Sequence, residues 1–174
     1  NIRQHIRLKY TNLMKLFFLT LLNIFFVINS FTQDIKEVIT TTHSKKIEKS
    51  FDLGNGKKFS NLYFEGTWTN NLGNYGRNEC IGTVSHLTNN IDLNIMCESV
   101  DKNNNKEWSL LTREGEMISG IGISTVVETT ASYKKNYVGT KCTYATTYLD
   151  DVNFTISKCP VSKNLYDIML KEVN

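Results

Sequence analysis

Apolar and polar residues alternate with a period of two from residue 59 onward, in runs short enough to be strands and separated by Gly- and Asn-rich turns. In the first run Leu62, Phe64, Gly66, Trp68, Asn70 and Leu72 fall on one face and are expected to point inward. Asn61, Tyr63, Glu65, Thr67, Thr69 and Asn71 fall on the other. A turn-rich segment at 72–78 leads to runs at 80–87 and 91–100; in the second, Ile91, Leu93, Ile95 and Cys97 alternate with Asp92, Asn94, Met96 and Glu98. Runs at 107–112, 117–129, 133–138, 141–149 and 152–158, rich in Ile, Val and Thr, bring the total to about eight. Short strands joined by turns at roughly ten-residue spacing predict an all-β fold, and closure removes sheet edges, so a small antiparallel up-and-down barrel is expected. After Pro160, Ser162 is placed to cap a short C-terminal helix carrying Val161, Leu165, Ile168 and Met169 on one stripe, expected to pack on the barrel wall.

Upstream of residue 59 the pattern changes. Residues 32–50 are polar and charged, with a weak apolar rhythm at Ile35, Val38, Ile39 and Ile47, and read as a loosely docked arm. Residues 51–58 bring Gly and Asn to turn positions. Before them, Met14 and Lys15 open an apolar run of 13 residues, 16–28, that ends at Asn29-Ser30. A basic start, an apolar middle and a small-residue exit form a secretory signal. A membrane-spanning helix needs about 20 apolar residues, and Thr20 and Asn23 interrupt this run. The expected organisation is therefore a leader and signal peptide over 1–30 starting in earnest at Met14, a polar arm and first turn over 31–58, a β-barrel domain over 59–160, and a helix and tail over 161–174. The mature protein is expected to be secreted or periplasmic, with no stable membrane insertion.

Export changes how cysteine and charge are read. All four cysteines follow the signal, where disulfides are the default. Directly opposed residues of an antiparallel hairpin have a constant index sum set by the loop. Pairing Cys80 with Cys97 centres a two-residue loop on Thr88-Asn89, and pairing Cys142 with Cys159 centres one on Asp150-Asp151, both turn-favouring. Two cross-strand disulfides are therefore expected; without Cys-x-x-Cys or a nearby His, no metal site is. The whole-chain net charge of +3 counts Arg3, Arg7, Lys9 and Lys15, and without them 16 Lys and Arg face 17 Asp and Glu. A near-neutral domain lacks the basic footprint of nucleic-acid binding.

The segment Gly66-Thr-Trp-Thr-Asn-Asn-Leu-Gly-Asn74 resembles the opening strand and turn of the avidin family and shares its Gly-x-Trp with lipocalins. Both are eight-stranded up-and-down barrels, so the resemblance implies a calycin-like barrel. It also implies ligand contact at Asn70, with Asn74 standing where avidins have Ser. Avidin pockets are walled by several Trp residues; here Trp68 and Trp108 are the two available.

Trp68, Asn70, His86, Trp108 and Tyr144 are the candidate ligand-binding residues. Trp68 also fits a packing role, Asn70 a turn role and His86 a solvated rim position. In the last hairpin Tyr144, Thr146 and Tyr148 share the cysteine side, while Ala145, Thr147, Leu149, Val152, Phe154 and Ile156 share the other. The apolar side is expected to face in, leaving a Tyr/Thr stripe as an adhesive surface; the reverse would give a hydroxyl-rich cavity. Nucleophilic catalysis needs a nucleophile, a base and an orienting group, and no such frame surrounds any Ser. Asp150-Asp151 and Glu114/Glu116 lie at turns rather than in a glycosidase arrangement. Asp101-x-Asn103-x-Asn105 opens like a calcium loop but has Lys106 at the Gly position and Thr112 at the Glu position, and reads as a polar turn. No catalytic residue and no cofactor is expected. The leading expectation is a non-catalytic binding module for an unknown small molecule or protein, followed by an envelope or inhibitor-like interaction protein with an exposed aromatic-polar face, and last by a hydrolase.

Overall fold

A computed structural model describes residues 34–87, 90–115 and 120–173. Eight strands, β1 (Ile35–Gly54), β2 (Lys57–Asn70), β3 (Tyr75–His86), β4 (Ile91–Asp101), β5 (Lys106–Gly115), β6 (Ile121–Thr129), β7 (Lys141–Leu149) and β8 (Val152–Ser162), run antiparallel in sequence order, and β8 pairs with β1 to close a barrel. Two helices, α1 (Lys134–Tyr137) and α2 (Lys163–Val173), complete the described chain. Neither is long and apolar enough to cross a membrane. The signal-peptide reading and the Thr88-Asn89 loop lie outside the described residues.

Both disulfides are formed as the spacing predicts, Cys80 with Cys97 and Cys142 with Cys159, each between directly opposed strand positions or at the end of the ladder that brings them together. The Asp150-Asp151 turn is present, with Asp150 at a φ of 55°, a left-handed position that Asp tolerates.

Three expectations are corrected. The polar arm is β1, which pairs with β2 along most of its length and with β8 over 35–45. Its inward residues after buried Val38 are Thr40, Thr42 and Ser44, so it lacks the apolar alternation that marks a strand beside an oily core. The run at 133–138 is not a strand: Tyr133 and Tyr137 are four apart and meet edge to face at 5.5 Å across the turn of α1. The C-terminal helix does not lie on the outer wall. Ser162 accepts the Leu165 N–H at 3.2 Å, as a cap should. From there α2 crosses the end of the barrel, Leu165, Met169 and Val173 meeting inward-facing Val38, Val126 and Val161. Lys102 Nζ donates to the Val173 carbonyl at 2.6 Å and Asn103 Nδ2 to that of Glu172 at 3.2 Å, fixing the far end of the plug to the β4–β5 turn.

The orientation of the last hairpin also reverses the favoured expectation. Tyr144, Thr146, Asn153, Thr155 and Ser157 face the interior, and Leu149, Phe154 and Ile156 face outward and are exposed. The disulfide decides this: Cys142 and Cys159 are buried and take their whole face of the hairpin inside. The barrel thus has an apolar inner wall from β2 to β5, around Leu62, Phe64, Val84, Ile95 and Cys80–Cys97, and a hydroxyl-bearing inner wall from β6 to β1.

Candidate functional site

Between these two walls lies a cavity of about 140 Å³. Period-two geometry aims Thr40, Thr42 and Ser44 of β1, Thr146 of β7 and Thr155 and Ser157 of β8 into it. Thr146 and Thr155 share a 2.8 Å hydrogen bond across the hairpin, and Thr155 Oγ1 donates to Asn153 Oδ1 at 2.8 Å. Opposite them stand Phe64, Leu93, Ile95 and Leu111. The space therefore offers hydrocarbon on one side and hydroxyls on the other.

Two buried polar atoms on this cavity's lining residues, Tyr144 Oη and Asn78 Oδ1, have no hydrogen-bond partner among the described residues. Tyr144 lies against Gly122, where an added Cβ would come within 2.5 Å of its ring carbon Cζ and of its hydroxyl, so glycine makes room for the ring. Burial pushes the Tyr144 hydroxyl up to about 12. Asn78 spends its Nδ2 on a 3.6 Å contact to Cys80 Sγ. A buried polar group left unpaired costs about 1–3 kcal/mol, so both atoms favour an occupant that hydrogen-bonds, whether ligand or water.

A second space of about 90 Å³ adjoins the first on the side of α2. Thr40, Thr42, Ser99 and Glu107 border both. Glu107 points inward from β5, near enough to the Tyr137 hydroxyl for that group to lower its carboxyl slightly. The Tyr137 hydroxyl itself donates to Cys159 Sγ at 3.9 Å. Burial outweighs the influence of that hydroxyl and raises the Glu107 carboxyl to about 7. None of the ion pairs among the described residues includes Glu107.

Charge at the other end of the barrel is arranged differently. Lys58 donates to Glu48 at 2.6 Å, Lys46 at 3.0 Å and Ser60 at 2.8 Å, and these bonds, that of Lys58 first, hold the Glu48 carboxyl down at about 2. Lys46 Nζ also lies 5.2 Å from the Tyr148 ring centroid. Arg113 lines the larger cavity, and its charge is felt by Tyr144 and Tyr148.

Of the residues singled out by sequence, Tyr144 lines the larger cavity and Trp68 and Asn70 the smaller. Trp68 Nε1 donates to the Arg77 carbonyl at 3.2 Å. Asn70 Oδ1 accepts the N–H groups of Leu72 and Asn74, both at 3.0 Å, so its carbonyl is committed to the β2–β3 turn, and Asn74 Nδ2 is held by Asp101 at 3.2 Å. His86 sits near the other end of β3 and lines neither space. Trp108 is on the outer face, where Nε1 donates to Glu98 at 2.9 Å. Asp101 Oδ1 accepts the N–H groups of Asn103 and Asn105 at 2.8 Å, the self-contained bonding of a polar turn. Sequence reasoning missed Glu107, Asn78 and the β1 hydroxyls. Glu107 shares period-two parity with Ser109 and Leu111, a signal that becomes legible once β5 is known to face β1 across the barrel. No family model, curated protein or solved structure matches this chain.

Proposed function

We propose that this protein is an exported, non-catalytic binding module that takes one small polar molecule into the interior of its barrel. The observation that carries the reading is the pair of buried, partnerless atoms, Tyr144 Oη and Asn78 Oδ1, on a cavity of about 140 Å³. An apolar protein cavity of about 150 Å³ holds benzene, so the size suits a molecule of that order, and eight-stranded barrels commonly hold one small ligand. The closed eight-stranded antiparallel architecture is what the avidin and lipocalin resemblance implied, although Asn70 serves the turn, which argues against an avidin-like mode of recognition. Two disulfides fit an oxidising compartment and agree with reading residues 14–30 as a signal. The non-catalytic reading draws on His86 lining neither of the two cavities.

The test is a fragment screen by ligand-observed NMR on the mature, oxidised protein and on Ser157→Phe, which fills the cavity from β8. Binders that are lost in a variant with unchanged near-ultraviolet circular dichroism support the reading. A screen without binders, or binders indifferent to Ser157→Phe, overturns it. A second reading, a protein-contact surface, is favoured by the outward face of β6–β8, where Ile121 and Leu149 are 61% and 64% exposed beside Phe154 and Ile156. Of the Tyr144/Tyr148 stripe first considered for that role, Tyr144 is buried on the inner side, while Tyr148 borders the larger cavity and is 52% exposed.

A further inference from the structure

We infer that the occupant of the barrel interior is a small organic cation, a protonated amine whose ammonium group rests against Glu107 where the two cavities adjoin. This rests on the binding-module reading and adds to it the chemical class of the ligand.

Glu107 is the acidic side chain common to the lining of both spaces, and the groups around it are acceptors or amphoteric: Thr40, Thr42 and Ser99 border the same junction. Asn78 Oδ1, on the larger cavity, is an acceptor that lacks a donor. An ammonium brings three donors and a positive charge, which an alcohol or a carboxylate does not. The smaller space adds Trp68 and Tyr133, whose faces attract cations.

The charged and titratable groups near Glu107 leave room for an incoming cation. Tyr137 and Tyr133, presented by α1 and its flank, are both pushed above the usual tyrosine range by burial and stay neutral at pH 7. Asp101 of β4 borders the smaller space and adds negative charge. Lys106, next to Glu107 on β5, has its ammonium 3.1 Å from Glu98 and over the Trp108 ring outside the barrel. Arg113 stands six residues further along β5, about 20 Å at the rise of an extended strand. Positive charge at that end and negative charge at the α2 end orient a bound amine with its nitrogen toward Glu107. The carboxyl's elevation to about 7 fits an acid without a resident cation, and it makes binding pH-dependent.

The experiment is calorimetric titration with matched amines, alcohols and carboxylates carrying propyl, benzyl or phenethyl groups, on the mature oxidised protein at pH 8 and pH 6 and on Glu107→Gln. At least one amine is expected to bind tenfold or more tighter than its alcohol at pH 8. It should lose about tenfold in affinity at pH 6, because the carboxyl protonates while an alkylamine stays charged. Glu107→Gln is expected to bind amine and alcohol alike. If that variant does not fold, the pH profile of the native protein carries the same test. Alcohols or carboxylates binding as tightly as amines, an amine affinity unchanged by pH, or a silent panel beside neutral or anionic hits in the fragment screen overturns the cation while the interior site stands. Silence in both panel and screen overturns the interior site as well.

Discussion

Replacing Glu107 by Gln has a consequence for stability that is independent of any ligand. In the unfolded chain this carboxyl ionises near 4.5, and in the barrel at about 7. Below pH 4.5 both states hold the proton and the residue costs nothing. As pH rises from 4.5 to 7 the unfolded chain releases its proton while the folded one keeps it, so stability falls by about 1.4 kcal/mol per pH unit and levels off above 7. At pH 8 the loss is at most about 3–4 kcal/mol, an upper bound because the carboxyl borders a space large enough for water. Against a total stability of about 5–15 kcal/mol this is a substantial fraction. Gln keeps the size but cannot ionise. Urea unfolding of the oxidised proteins, followed by Trp68 and Trp108 fluorescence, should therefore show a variant whose advantage over the native protein is small at pH 4.5 and grows to about 2–3 kcal/mol at pH 8, with equal denaturant slopes. A difference that stays constant from pH 5 to pH 8 would show that Glu107 is solvated or already paired, and would remove the physical ground for placing a cation beside it.

Other perturbations probe the rest of the interior. Removing either disulfide as a Cys→Ala pair should lower stability by about 3 kcal/mol, the chain-entropy value for loops of this length, each having a sequence separation of 17; denaturation of the single and combined pairs should show near-additive losses, since the two staple different hairpins. Tyr144→Phe deletes a buried hydroxyl with no partner and should raise stability by about 1 kcal/mol while weakening any interior ligand; a clear loss of thermal stability would mean that a bound water satisfies the hydroxyl. Gly122→Ala places a Cβ 2.5 Å from the Tyr144 ring and 2.7 Å from the Thr112 carbonyl oxygen, and should cost about 1–3 kcal/mol with an altered tyrosine signal in near-ultraviolet circular dichroism.

The parts of the fold that were legible in the sequence are those where local pattern and tertiary environment agree. Strands β2 and β4 alternate cleanly because their inward residues, Leu62, Phe64, Ile91 and Ile95, are apolar and buried. The two disulfides followed from loop arithmetic because hairpin register is a local property. The count of eight was reached with one wrong member, since β1 was read as an arm and α1 as a strand. The β1 error has a single cause: a strand facing a hydroxyl-lined cavity shows Thr40, Thr42 and Ser44 where the pattern rule looks for Val or Leu. At α1, Tyr and Val carry β propensity, but Tyr133 and Tyr137 obey a four-residue spacing that a helical turn satisfies.

The same cause explains why the site was harder to read than the fold. A period of two says that a segment is a strand and sorts its residues into two faces, but it does not say which face is inside; that choice is normally made by assuming that oil goes in. In β6–β8 the assumption fails, and Ile121, Leu149 and Ile156 stay outside while Tyr144, Thr146 and Thr155 line the interior. The cysteines held the correction. Cys80 and Cys97 share their face with Ile95, so the disulfide side of that hairpin is the inner side, and the same rule applied to Cys142 and Cys159 turns the Tyr/Thr stripe inward. Glu107 had no such marker. It becomes significant when β5, β1 and α1 are brought together by closure, because a lone carboxylate in a strand is ordinary and a lone carboxylate between two cavities is not. A polar inner wall beside an apolar outer one gives up part of the burial that would stabilise a solid core. That sacrifice makes physical sense where the interior is kept open for something that hydrogen-bonds, which is why the inverted wall and the proposed ligand site are one feature of this barrel.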